Sequence, residues 1–533
     1  MLILLPVMLL FLTALGILIQ QWIRPSFGYA WLGASGMSLV VWGLVLSSRW
    51  LAVEPLMLTV WEPVAGVRWL LGFQIDTNNW LYAFALSGLV AAVILTASAR
   101  MELGTTPWSW AGSLAVTGAG ILALLANTPL TLILAWTVID LIELMVFLQR
   151  ANRPEQSIQI VTAFAARVAG TFILVWAMVS SAARGVEFSL GNIPPEVSIL
   201  ALMAAGLRLG VIPLHLPFTH ELRMRRGLGV IIRLVTPVAA FPLISRVPPT
   251  VVPRNLAPYV LLFIALTAGD GSAKWLAAKD EIDGRPYWLI ALAAIAVGCA
   301  VRGRPTAALV WGSTMILSGG LLFLFSARIK RVLFLPLLGL IGLTGLPFTP
   351  TASGWAGLVV LPFNALDIVL MAAHILLVLG YLRHALHGGD DLANMEPWVH
   401  VVYPFGLLLL VITQWLIGVL GWQGSFTAGT WWAAVVSISI ALTVHRFQRR
   451  GSRWIGSLSN RFGALNRLTC PGFRLLAAIL NLNWLYRFLA AFFRGVQSSM
   501  RFLTTILEGD GGVLWAILLL LLLITFFKAG SVP

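Results

Sequence analysis

Residues 127–150 read NTPLTLILAWTVIDLIELMVFLQR, an apolar run long enough to cross a bilayer that nevertheless carries two carboxylates, Asp140 and Glu143. A helix of about 20 apolar residues spans a hydrocarbon core of about 30 Å because it satisfies its own backbone hydrogen bonds. Asp140 and Glu143 stand three positions apart, so a helix places them on one face. Carboxylates inside hydrocarbon are costly unless partnered or hydrated, which makes proton binding or ion pairing the expectation here.

The rest of the chain agrees. It has 533 residues, 59% hydrophobic and 10% charged, with a mean hydropathy of +0.92. A soluble domain carries about 25% charged residues, so that class is excluded. Apolar runs recur near 2–21, 28–48, 79–98, 107–126, 129–148, 160–181, 196–216, 228–245, 256–268, 287–301, 306–326, 332–346, 357–381, 399–420, 428–445 and 513–528. The sequence therefore reads as an all-α polytopic membrane protein of about 16 transmembrane helices, counting those runs. The first run lacks a basic leader and a cleavage site, and reads as a retained span. Trp42, Trp80, Trp108, Trp288 and Trp422 lie at run ends, where interfacial anchors are expected.

The net charge of +15 comes from basic residues spread over short loops, without the aromatic-interleaved patch that nucleic acid requires. Lys and Arg concentrate in the loops after odd-numbered spans, among them Arg150, Arg153, Arg226, Lys274, Arg285 and Arg383. By the positive-inside rule those loops are expected in the cytoplasm and the N-terminus outside, in an energy-coupling membrane. Residues 450–507 mix Arg461, Arg467, Arg474, Arg487, Arg494 and Arg501 with Leu, Phe and Trp, the pattern of an amphipathic helix lying along the interface. The terminal segment 508–533 holds one anchoring span. Cys299 and Cys470 are far apart and have no metal-ligand spacing, so no metal, disulfide or cofactor is expected. No catalytic motif is present, and the loops are too short for a catalytic domain.

Further intramembrane charges extend the candidate site. Span seven carries Arg208 five residues before Pro213, followed by His215, His220 and Glu221. A buried Arg needs a counter-ion, and Asp140 is the natural candidate. Span eight holds Arg233 well inside its run. By contrast, no ionisable residue stands between Pro305 and Arg328, nor from Leu333 to Asn364; the later Asp367 and His374 are seven residues apart on one helical face. Lys274 completes the candidate ion-pathway residues. GLRLGVIPLHLPF and GLIGLTGLPFTPT are both Gly/Pro-interrupted and occupy similar places in the two halves, as paired broken helices do in transporters. The divisions expected are 1–106 (first helices), 107–250 (first repeat), 251–385 (second, degenerate repeat) and 386–449 (later helices), before the two terminal segments.

On four of these segments the chain resembles the antiporter-like membrane subunits of respiratory complex I and of multisubunit cation/proton antiporters. GFQIDTNNWLYAFALSGLVAA is similar to the family's third helix, LILAWTVIDLIELMVFL to its fifth, GLRLGVIPLHLPFTHE to its broken seventh and GLTGLPFTPTASGW to its broken twelfth. The C-terminal surface helix with its final anchor resembles that of the distal complex I subunit. The departures are specific. The family's Glu after the Trp is Thr137, with Asp140 one turn later; its seventh- and eighth-helix cations are Arg208 and Arg233; its eleventh- and twelfth-helix Lys and His have no counterpart. The resemblance implies two broken-helix repeats, a lateral helix, neighbouring membrane subunits in a hetero-oligomeric assembly within the bilayer, and translocation of protons or Na⁺ in a complex I-like NADH/quinone oxidoreductase or related complex. The alternative is a non-pumping structural partner subunit, for example in dissolved inorganic carbon uptake.

Overall fold

A computed structural model of the chain describes residues 2–25, 28–51, 54–64, 67–101, 106–212, 226–326, 332–346, 349, 351–386, 396–421, 431–450, 491, 498 and 517–522. Two compact units divide the chain, Met1–Ser452 and Arg453–Pro533. In the second, residues 517–522 form a helical stretch of exposed Ile and Leu. The lateral helix expected over 450–507 lies outside the described residues, apart from isolated helical positions at 491 and 498.

The first unit opens with α1 (Leu5–Ile23) and α2 (Ala30–Ser47), then an antiparallel hairpin, β1 (Leu56–Val64) and β2 (Val67–Phe73). Among the described residues this hairpin is the one sheet in an otherwise helical chain, and it leads into α3 (Thr77–Thr96). Asp76 caps that helix, accepting from the backbone N–H of Asn78 and Asn79, and pairs with Arg246. There follow α4 (Pro107–Leu125), α5 (Pro129–Leu148), α6 (Pro154–Ala183), α7 (Pro195–Leu209), α8 (Leu228–Val238) and the short α9 (Phe241–Ile244). The second half holds α10 (Ala257–Ala277), α11 (Glu281–Val301), α12 (Pro305–Leu324), α13 (Phe334–Thr344), α14 (Trp355–Leu358), α15 (Ala365–Ala385), α16 (Val399–Leu416) and α17 (Trp431–Arg450). Proline opens several of these helices, where its missing N–H is no loss.

Among the described residues, eleven helical segments are long and apolar enough to span a membrane, with two shorter apolar helices at Leu228–Ile244 and Phe334–Thr344. The chain is thus an all-α polytopic membrane protein. α3, α11 and α12 are enclosed by other helices, while α1, α2 and α6 turn residues such as Leu12, Phe172 and Trp176 outward. Small residues let the central helices approach: a Cβ on Gly271 of α10 would meet the Ala291 backbone of α11, and one on Gly88 of α3 would meet Thr413 of α16. Trp80 and Trp288 are buried rather than interfacial; their indoles donate to Val45 O and Met315 O and so pin neighbouring helices. Trp108 is exposed, while Trp422 lies outside the described residues.

α7 and α13 end alike, each on a glycine in the left-handed region, Gly210 (φ 71°) and Gly345 (φ 70°). The helix breaks expected around Pro213 and Pro347 begin there; the prolines themselves lie outside the described residues.

Candidate functional site

α5 supplies the two carboxylates. Asp140 and Glu143 are each 1% exposed, buried between α5, α6, α7 and α8. Arg208, near the end of α7, grips Asp140 through both ends of its guanidinium, Nη1 to Oδ2 at 2.7 Å and Nη2 to Oδ1 at 2.8 Å. Such bidentate, charge-assisted pairs are the strong ones. The same guanidinium lies over the Trp136 ring, 4.2 Å from its centroid. The Trp136 indole in turn donates to Ala239 O at 2.9 Å, fixing the ring one helical turn from Asp140. The counter-ion pairing expected between Arg208 and Asp140 is therefore present.

A second arginine joins them. Arg167 of α6 donates from Nε to Asp140 Oδ1 at 3.2 Å and places Nη1 3.4 Å from Glu143 Oε1, so one cation bridges both carboxylates. Glu143 also accepts the Thr236 hydroxyl at 2.7 Å. Arg233 of α8 lies 4.7 Å over the Phe147 ring, within electrostatic reach of Glu143 and Arg167. Sequence reading passed over Arg167, although it stands in the middle of the apolar run 160–181 just as Arg208 does in its own. It also placed Arg285 on a loop. The structure puts Arg285 inside α11 at 2% exposure, because that helix begins at Glu281, six residues before the apolar run.

The remaining candidates are elsewhere. His215 and Glu221 lie outside the described residues. Lys274 forms an i,i+4 pair with Asp270 at 2.8 Å on α10, at 42% exposure. Asp367 opens α15, where it completes a capping box with Asn364 and accepts from Arg302 at 2.6 Å. His374, fully buried, has its ring nitrogens 3.1 Å from Leu343 O and 2.8 Å from the Ser437 hydroxyl. Since a carbonyl only accepts, that geometry places a proton on Nε2. Among the described residues no group of three His, Cys, Asp or Glu side chains is placed to hold a metal ion.

Chemically, the α5–α8 cluster is a pair of carboxylates inside a ring of guanidinium groups. An arginine does not release its proton, so only the carboxylates can exchange one.

No protein-family model and no curated protein matches the sequence. Solved structures do match in fold. The Mrp complex of Dietzia sp. DQ12-45-1b contains a chain that superposes with a TM-score of 0.69 at 16% identity, covering 99% of this chain and 63% of that one. The present chain therefore spans less than two thirds of that subunit. The membrane-bound sulfane sulfur reductase, an archaeal respiratory membrane complex, contains another, with a TM-score of 0.64 at 14% identity, covering 98% of this chain and all of that one. Likenesses at such identities establish the architecture, and they agree with the one anticipated from the helix-five, helix-seven and helix-twelve segments. The chain shares its fold with the matched chains of these two membrane complexes.

Proposed function

We propose that the chain is an antiporter-like membrane subunit of an energy-converting assembly, of the complex I-like or cation/proton antiporter kind, and that Asp140 and Glu143 are where it handles protons. The observation that carries this reading is the Arg208–Asp140–Arg167–Glu143 relay, four ionised groups joined in series and sealed from solvent. Buried ion pairs contribute little net stability compared with apolar packing of the same shape, so a network this large favours a functional role.

On this reading the two carboxylates have different parts. Asp140 holds three charge-assisted contacts and serves as the fixed counter-ion. Glu143 holds one longer ion pair and one hydroxyl, and is the group freer to take a proton. When it does, Arg167 loses one of its two anions and its charge is drawn toward Asp140. Charge displacement along the cluster is thereby tied to proton occupancy.

The test is proton translocation by vesicles reconstituted with the whole assembly. Asp140→Asn is expected to abolish it; unchanged pumping would sink the assignment. A second reading, a non-pumping structural partner, draws support from α12 and α13, which contain no ionisable side chain. Wild-type assembly that moves no protons would favour it.

A further inference from the structure

Beyond the relay, the buried charges do not balance. Among the described residues, Arg167, Arg208, Arg233 and Arg285 are each at most 4% exposed, and the carboxylates buried to the same degree are Asp140, Glu143 and Asp367, the last already paired with Arg302. The surplus is most evident at Arg285. Its Nη1 donates to Gly229 O at 2.9 Å and its face lies 5.2 Å from the Phe323 ring, but Nε and Nη2 are buried without a hydrogen-bond partner. Those two atoms form one edge of the guanidinium, the edge that presents parallel N–H donors to a single anion.

The neighbouring charges leave this edge unanswered. Arg226 and Arg233 add to the positive field around Arg285, and Glu281 and Asp280 oppose it. Glu281, however, is ion-paired with Arg226, whose Nη1 also donates to Phe323 O and Phe325 O. Asp280 caps α11 by accepting from the backbone N–H of Ile282 and Asp283. A buried guanidinium edge without an acceptor is costly, and a bound anion removes that cost and the charge surplus together.

We propose that the Nε/Nη2 edge of Arg285, in the field of Arg226 and Arg233, is a binding site for a small monovalent anion, a halide or a planar oxyanion such as bicarbonate. The site is separate from the carboxylate relay, and its occupancy is read on the purified chain with no reference to proton flux.

The experiment is thermal unfolding of the full-length protein in detergent at constant pH and ionic strength, with gluconate replaced stepwise by chloride in one arm and by bicarbonate in the other. Tm is expected to rise saturably, by about a degree or more, in at least one arm. The arm that responds at lower concentration identifies the preferred anion. Arg285→Gln should raise the half-saturating concentration at least about tenfold, the loss of one charge-assisted contact. A Tm indifferent to the anion, or an unchanged half-saturation in the variant, overturns the proposal. Should the variant not fold, bromide-soaked crystals of the unaltered protein decide the matter. An anomalous peak against Nε and Nη2 of Arg285 supports the site, and its absence there refutes it.

Discussion

The two halves of the chain break their helices in the same way and fill the space beside the break with opposite chemistry. Next to Gly210, the end of α7 carries Arg208 into a cluster of ionised side chains from α5 and α6. Next to Gly345, the end of α13 is held by neutral groups: the Thr351 hydroxyl donates to Gly342 O at 2.6 Å, Trp355 donates to Thr344 O, and His374 reaches Leu343 O. Gln414 and Ser318 continue that neutral network, the amide donating to the hydroxyl at 3.1 Å and the hydroxyl to Gly339 O. The backbone break is therefore independent of the charge beside it. Buried charge in the first half lies within α5, α6 and α8 and at the end of α7, and in the second half it stands near helix ends, as in Arg302–Asp367.

If that contrast is functional, the first-half pairs should be needed for flux and the second-half pair for stability alone. The largest effect is expected at Asp140. Removing its charge strands Arg208 and Arg167 in the interior, a loss of about 3–5 kcal/mol. Adding Arg208→Gln to Asp140→Asn should recover much of that stability, as measured by denaturant unfolding in detergent, while proton flux stays at zero. Recovery of flux with stability would mean that the pair is structural. Asp367→Ala comes next. It breaks a buried pair with Arg302 and the α15 cap together, so about 3 kcal/mol is expected, with flux per folded molecule unchanged. Flux lost in a stable Asp367 variant would erase the distinction between the halves.

Thr236→Val removes one hydroxyl donor from Glu143 and should cost about 1 kcal/mol, read by denaturant unfolding in detergent. The smallest effect is expected at Lys274. Its pair with Asp270 is half exposed, and Lys274→Ala should shift stability by less than about 0.5 kcal/mol and leave flux intact.

Much of this was legible in the sequence. The spans, the carboxylates at 140 and 143 and the need of Arg208 for an anion follow from apolar run length and the cost of buried charge. The breaks at Gly210 and Gly345 were foreshadowed by their Gly/Pro motifs. What escaped had physical reasons. Arg167 belongs to a span whose other residues are unremarkably apolar, and only its neighbours in space give it two partners. Arg285 was misplaced because α11 starts with polar residues, Glu281, Asp283 and Arg285, which run-counting assigns to a loop. The hairpin at 56–73 is short and Trp-rich, and its pairing depends on contacts that period alone does not fix. Trp80 and Trp288 looked interfacial because they stand at run ends, yet the surrounding helices extend past them.

The central claim is that Glu143 is the proton acceptor of a relay anchored on Asp140. It is tested most directly by proton uptake into vesicles carrying the assembly with Glu143→Gln, a change that keeps the side chain's shape and its hydrogen bond from Thr236 while removing the titratable group. The account predicts assembly at normal levels with proton uptake reduced to background. Uptake at the wild-type rate would contradict it.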